Sequence, residues 1–421
     1  MDAALPQRPP VGRLNDALIV GAGIGGLTLA LELERRGIAC RIFESAPEIK
    51  AVGVGINLLP HATQALGELG LEPALARVAV ETAESVFFNR YGQLIYKEAL
   101  GRRAGYAWPQ FSIHRADLQA VLLDAAKARL GEDRLHFGWH CVGFEQEEAN
   151  VRLAFRDRGS VEGRIAVGCD GIHSVIRKQL YPGEGEPRYS GVNMWRGVTR
   201  WKPILSGASM LRAGWLATGK LVHYPIRNAI DAQGRQLVNW LWEVETTQHQ
   251  RWDWNRPARV EDFIAGAESW RFDWLDVPAF LRAAELVLEY PMVDKDPLPA
   301  WSFGRVTLLG DAAHPMVPRG SNGAGQAILD AKILAQALSE EGDALKKYEA
   351  VRLGPTSKVV LENRRNPPDA ILREVYERTG DQPFDRIEAV ISAQELATLS
   401  DRYKQVAGYA IKDDRQESPP R

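Results

Sequence analysis

The stretch that most narrows what this chain can fold into is ALIVGAGIGGLTLALELERRG, residues 17–37. Ala17 to Val20 form a short apolar run, as a buried strand would. Gly21, Gly23 and Gly26 then make G-x-G-x-x-G at the entry to a helical pattern, with Ile24 and Gly25 inside the turn. The spacing has a physical reading. Gly21 permits a tight turn, Gly23 lets backbone approach a pyrophosphate, and Gly26 lets helix pack closely on strand. The pyrophosphate would sit on the unpaired N–H groups of the helix start. IACRIFE follows as a second strand and ends on Glu44, placed to bond an adenosine ribose, with Ser45 beside it. The order strand, glycines, helix, strand, acid predicts a dinucleotide site. A ligand-free glycine turn is the plainer alternative, and this unit does not separate NAD from FAD.

The chain has 421 residues, enough for two or three domains. Its formal net charge of −2 gives no reason to expect nucleic acid or a membrane surface as partner. The three cysteines, Cys40, Cys141 and Cys169, are widely spaced and suit buried thiols in a reducing compartment. No apolar run reaches the roughly 18 residues of a membrane span. Residues 1–14 lack a signal-peptide pattern, so the expectation is a cytoplasmic protein.

The texture changes twice along the chain. Between about 188 and 290 strand candidates follow one another: NMWRGVTR, KLVHYPIR, QLVNWLWEVE. Nine of the twelve tryptophans fall between Trp195 and Trp274, most of them read as core. The α/β pattern lies on both sides. The predicted fold is therefore α/β: a discontinuous Rossmann-like nucleotide-binding domain with an inserted sheet-rich substrate domain. The expected boundaries are 15–80, 114–187 and 293–345 for the nucleotide-binding parts, and 81–113 and 188–292 for the substrate parts. A helical region over 346–405 and a disordered tail over 406–421 complete the chain.

Three further stretches carry chemistry. His114-Arg115 opens a helix, with Arg115 in reach of a phosphate. GCDGIHSVIR, 168–177, is a strand end, a turn at Asp170-Gly171 and a helix start. GDAAHPMVPRGSNGAGQAILD, 310–330, places Asp311 after the strand-like run Val306–Leu309 and then brings glycines to a helix. Together, in this order, these motifs resemble the single-component FAD-dependent aromatic monooxygenases over most of residues 15–360. GVGINLLPHA, WPQFSIHR, MWRGVT, YPMVDKDPLP and GSNGAGQAILD are especially similar to the phenazine-carboxylate monooxygenases.

That resemblance implies FAD as resident cofactor and NADH or NADPH as transient electron donor. Gly21, Gly23 and Gly26 would hold the pyrophosphate, Glu44 the ribose, and Arg115 the pyrophosphate side. Asp170 and Gly171 belong to the motif linked to FAD and to transient NAD(P)H binding. Gly310 and Asp311 would meet the ribitol region, Pro318 and Gly320 the isoalloxazine face, and Gly323 and Ala324 the pyrimidine edge. The reaction implied is hydroxylation of a planar aromatic or N-heteroaromatic molecule by O₂ through a flavin C4a-hydroperoxide. Both simple and decarboxylative hydroxylation are compatible with the motifs. No protein nucleophile is required.

Substrate walls are expected from Val54, Gly55, Tyr224, Trp240, Trp242 and Pro318. Arg196 either pairs with a substrate carboxylate or is a solvated charge at a sheet edge, the second reading being preferred. Many members of the class carry Gly-Gln-Gly where this chain has Gly320-Ser321-Asn322-Gly323. His114 and His314 read as structural hydrogen-bonders. Asp311 with His314 makes no hydrolase, because no G-x-S-x-G turn exists. No metal-ligand set occurs. Other flavin oxygenations (epoxidation, Baeyer–Villiger insertion, halogenation), an NAD-dependent dehydrogenase and a non-catalytic flavoprotein are the alternatives. Monomer and homodimer both remain open.

Overall fold

A computed structural model describes residues 16–49, 54–246, 256–365 and 368–411. Its first layer is a six-stranded sheet in the order Ser302–Phe303, Val306–Leu308, Ile165–Gly168, Ala17–Val20, Cys40–Glu44, Leu135–Phe137. Ala17–Val20 lies in the interior, parallel to both neighbours, and all four of its residues are buried. An uninterrupted apolar run suits such a strand because both faces of the sheet are covered, by helices on one and by a meander, whose Phe155 meets Phe43, on the other. The helix Ile24–Arg35 packs on Arg115–Leu130 and Gly323–Leu338. An antiparallel meander, Cys141–Gln146, Val151–Phe155 and Gly159–Gly163, stands beside this sheet.

The second layer is an eight-stranded sheet. Its order is Arg256–Pro257, Ala284–Asp294, Arg188–Trp201, Gln236–Glu245, Gly219–Arg227, Ser209–Trp215, Glu84–Phe88, Leu94–Ala99. Side chains alternate between its faces. From Gln236–Glu245, Val238, Trp240 and Trp242 enter one core with Trp270, Phe263 and Phe280, while Leu241 joins Met210, Val222 and Tyr224 on the other face. That second face looks toward the nucleotide-binding layer. A small sheet of Gly55–Leu58, Phe111–His114 and Val80–Glu81 bridges the two.

The C-terminal part is three helices, Ala344–Arg365, Ala370–Thr379 and Ala393–Ala407. The first carries Pro355 in its interior, and residues 366 and 367 beyond it lie outside the described residues. Ile371, Leu372, Val375 and Leu396 pack on Phe87 and Ile95 of the eight-stranded sheet. The expected boundary of the tail at 406 falls within the last helix. The last helix runs to Ala407, Gly408 terminates it in the left-handed conformation, and Tyr409 stacks on His61. Residues 412–421 lie outside the described residues.

Candidate active site

The fingerprint turn is built as its spacing requires. Gly21 has φ +103°, and a Cβ there would lie 2.5 Å from the Cys169 carbonyl oxygen. A Cβ on Gly26 would lie 2.0 Å from the Gly21 carbonyl oxygen, so only glycine lets the helix sit this close. Gly23 is different: a Cβ there would meet nothing within 4 Å. Gly23 caps the helix without a side-chain acceptor, so the first N–H groups face open space. That space is a cavity of about 330 Å³ lying between the two layers, with Gly23, Ile24 and Gly25 in its wall.

The same cavity receives the other motifs. Arg115 begins its helix beside it, with the His114 ring accepting from Ala116 N at 3.2 Å. Gly171 lines it; Asp170 does not. The Asp170 carboxylate instead accepts from Ser174 Oγ at 2.5 Å and Val175 N at 2.8 Å, and so caps the helix Val175–Leu180. Glu44 and Ser45 stand outside the cavity wall. Glu44 accepts from Ala22 N at 2.8 Å and from Ala46 N at 2.8 Å, holding the turn, and Ser45 bonds to it.

Asp311 faces the cavity because the turn before it is anchored from behind. Gly310 N donates to Asp330 Oδ2 at 3.1 Å, and the same carboxylate holds His314 Nε2 at 2.5 Å and Arg352 Nε at 2.7 Å. Burial pushes the Asp330 carboxyl up, but His314 and Arg352 outweigh it and hold it down, to about 2. Arg177, fully buried, donates to the carbonyls of Ala312 and Ala313 at 3.0 and 2.8 Å and pairs with Glu184. It fastens the 168–177 stretch to the 310–314 turn. Asp330, Arg352 and Arg177 were not singled out in the sequence, although an aspartate within the apolar pattern AILDAKIL was a signal.

Beyond this turn, Pro318, Gly323 and Ala324 line the cavity, with Arg319, Ser321 and Asn322. The helix Gly323–Leu338 also begins without a side-chain cap, so a second set of helix N–H groups meets the same space. Gly320 serves another purpose than the flavin face expected for it. A Cβ there would overlap Tyr403 Oη at 1.5 Å, so its small size admits a tyrosine from the last helix.

The opposite wall is the second face of the eight-stranded sheet. Gly55 is docked onto it: its N–H donates to Asn239 Oδ1 at 2.7 Å, and its carbonyl accepts from Tyr224 Oη and Arg196 Nη2, both at 2.8 Å. Val54 is buried next to it but outside the cavity wall. Arg196 is no sheet-edge charge. Its strand pairs with a neighbour on each side, and its guanidinium lies over the Tyr290 ring. Trp240 and Trp242 are corrected as substrate walls. They point from the other face, both fully buried, where Trp240 Nε1 bonds Thr199 Oγ1 at 2.9 Å and Trp242 meets Trp270 edge-on. A strand alternates faces, so the residues beside them, Leu241 and Glu243, line the cavity instead. Arg212, Lys220 and Val222 join them there. The lysine inside the apolar run GKLVHYPIR was the trace these wall residues left in the sequence.

Two uncapped helix starts, an exposed carboxylate at Asp311 and a basic side chain at Arg115 surround one elongated cavity. This donor set fits a dinucleotide whose pyrophosphate meets Gly23 and whose ring meets Gly323. The comparisons with known proteins identify the family and the cofactor. A family model described as "FAD binding domain" matches residues 15–360. A phenazine 1,6-dicarboxylic acid hydroxylase, PhzS, of Lysobacter antibioticus is 40% identical over 394 residues, covering 90% of this chain and 96% of that protein. A 3-hydroxybenzoate 6-hydroxylase of Aquipseudomonas alcaligenes is 32% identical, covering 83% of this chain and 88% of its own. Among solved structures, a salicylate hydroxylase substrate complex superposes with a TM-score of 0.70 at 25% identity, covering 94% of this chain and 95% of its own. HpxO of Klebsiella pneumoniae, complexed with FAD and uric acid, gives 0.71 at 22% identity, with 94% and 93% covered.

Proposed function

Since this chain belongs to the FAD-binding domain family and is an FAD-dependent aromatic monooxygenase, we propose that its substrate is a planar N-heteroaromatic carboxylic acid. The acid would lie on the apolar floor of Met210, Val222 and Leu241, with its carboxylate toward Arg196. One observation carries this reading. Arg196 borders the cavity and forms no ion pair with any acid among the described residues, whereas Arg212 and Lys220 on the same face are paired. A half-buried guanidinium beside an apolar floor suits a flat acid.

Bound FAD takes reducing equivalents from NAD(P)H and supplies one atom of O₂ to the aromatic ring. The chain does the rest by position. The helix start after Gly23 and Arg115 would hold the pyrophosphate, and Asp311 would accept a hydrogen bond from a hydroxyl of the chain linking it to the ring. The helix start at Gly323 offers N–H donors to the edge of the flavin that gains electron density on reduction. The strand Gly55–Leu58 and the sheet cover the opposite side and keep water from the reacting face. Arg196 and Tyr224, fixed together on the Gly55 carbonyl, orient the acid. Residue positions outside this cavity, Trp240 and Trp242, act through packing.

The test uses purified holoenzyme. NAD(P)H consumption, peroxide release and product are followed with a panel of aromatic and N-heteroaromatic acids under ¹⁸O₂. An N-heteroaromatic acid that speeds consumption, with label in the product and little peroxide, is the expected result. Stimulation only by uncharged rings would remove the carboxylic acid from the reading, and a chlorinated product would replace hydroxylation.

A further inference from the structure

The far end of the cavity holds a charge cluster that the reaction above leaves unused. Arg212 and Lys220 project from adjacent strands, and Glu243 comes from the next one. The fourth member, Asp369, caps the helix Ala370–Thr379, beyond the residues that the family model matches. Arg212 Nε lies 3.0 Å from Asp369 Oδ1, and Lys220 Nζ lies 2.5 Å from Glu243 Oε2 and bonds Asp369 Oδ2 as well. Arg212 Nη1 also donates to Ser85 Oγ at 2.8 Å. All four side chains are less than a tenth exposed, yet all four border the cavity. Burial pushes the Asp369 carboxyl up, but Lys220 and Arg212 outweigh it and, with Arg319 on the facing turn, hold it below the usual range.

The register of the sheet sets where this cluster stands relative to Arg196. Arg212, Val222, Leu241 and Arg196 lie side by side across four strands. Three strand spacings put the two arginines roughly 14 Å apart at the backbone. Their side chains thus flank an apolar floor long enough for a fused-ring system. An arginine and a lysine at its far end are the groups a second substrate carboxylate would seek. Here the chain has already filled them.

We propose that Asp369 is a specificity-determining residue: its carboxylate occupies, from within the chain, the place on Lys220 and Arg212 that a second acidic group of the substrate would take. The inference rests on the aromatic-acid reading above and narrows it to monoacids. An acid at Arg196 leaves the far end for an uncharged, hydrogen-bonding edge of the ring. A second carboxylate there meets Asp369 and Glu243 at close range in a poorly solvated pocket, and is rejected by charge.

The experiment compares phenazine-1-carboxylic acid with phenazine 1,6-dicarboxylic acid by titrating the flavin absorbance of holoenzyme. Wild type should bind the monoacid more tightly. In Asp369→Ala the ratio of the two dissociation constants should move toward the diacid by about tenfold or more, the scale of one charge-assisted hydrogen bond. Glu243→Gln, which removes one of the two carboxylates held by Lys220 and leaves the C-terminal helix untouched, should move it the same way. A cluster that only clamps the helix to the sheet would weaken both acids equally, and an unmoved ratio in both variants overturns the proposal. Wild type that prefers the diacid overturns it too. If neither acid perturbs the wild-type flavin, the aromatic-acid reading falls first and takes this one with it.

Discussion

Arg196 shows how much one side chain's surroundings decide. Its guanidinium holds the Gly55 carbonyl with one nitrogen and lies over Tyr290, and no acid among the described residues neutralises it. Arg196→Met is therefore expected to weaken a bound aromatic acid by about tenfold or more, given the strength of hydrogen bonds to charged groups. The primary amide of the same ring should lose much less, and titration of the flavin spectrum with both ligands checks this. His223 gives a prediction of another kind. It is buried with neither ring nitrogen hydrogen-bonded, and burial pushes it down to about 3. Its folded value lies below its unfolded one, so the unfolded chain binds the extra proton first. Stability from this residue is complete above about pH 6.5 and is lost as pH falls toward 3, at about 1.4 kcal/mol per unit. Between pH 7 and pH 5 the unfolding free energy should fall by about 2 kcal/mol less in His223→Leu than in the wild type, as denaturant titrations at the two pH values would show. Sequence patterning could not expose this histidine, because its isolation depends on which rings pack around it.

At the scale of elements, the strand Gln236–Glu245 divides function from packing by parity. Even positions Val238, Trp240 and Trp242 enter the aromatic core, and Leu241 and Glu243 meet the cavity. Trp242→Ala should cost about 3–5 kcal/mol of stability, the usual loss for a large buried ring. Leu241→Met keeps the volume and should cost less than about 1.5 kcal/mol. It should nonetheless change substrate affinity and raise peroxide release, because it alters the floor under the ring. Unfolding curves and a peroxide assay on the two variants separate the faces. The run QLVNWLWEVE reads as a strand from its residues alone, but a one-residue change of register would exchange its faces. Its tryptophans, expected as substrate walls, lie on the packing face. The glycine turn was legible to the residue, since Gly21 and Gly26 answer local steric demands and Gly23 leaves the approach to the helix start open.

The whole molecule is two layers with the cavity between them, and the proposed cofactor site spans that seam. FAD contacts expected from Gly23, Asp311 and Gly323 come from segments separated by almost three hundred residues of chain, and the substrate face lies opposite. Added FAD should therefore stabilise the fold as a ligand of the native state, by about 2.7 kcal/mol at a hundredfold excess over its dissociation constant. Removing FAD should shift the denaturation midpoint down correspondingly, and dialysis against added FAD should restore it. The C-terminal helices belong to this assembly. They bring Asp369 to the far end of the cavity and Tyr403 behind Gly320.

By itself the sequence determined the nucleotide-binding unit, the family, the cofactor and the class of reaction. The unit rests on local constraints, glycines at turn and packing positions and apolar runs of the length of a buried strand, while the family, the cofactor and the reaction rest on the resemblance carried by the further motifs at 114–115, 168–177 and 310–330. Tertiary structure alone decided which side chains form the substrate pocket. Arg212, Lys220, Glu243 and Asp369 are scattered over more than 150 residues and look like ordinary charges in strands and a helix cap. Only strand register and the docking of a C-terminal helix bring them together, and such long-range placement leaves no periodic trace in the chain.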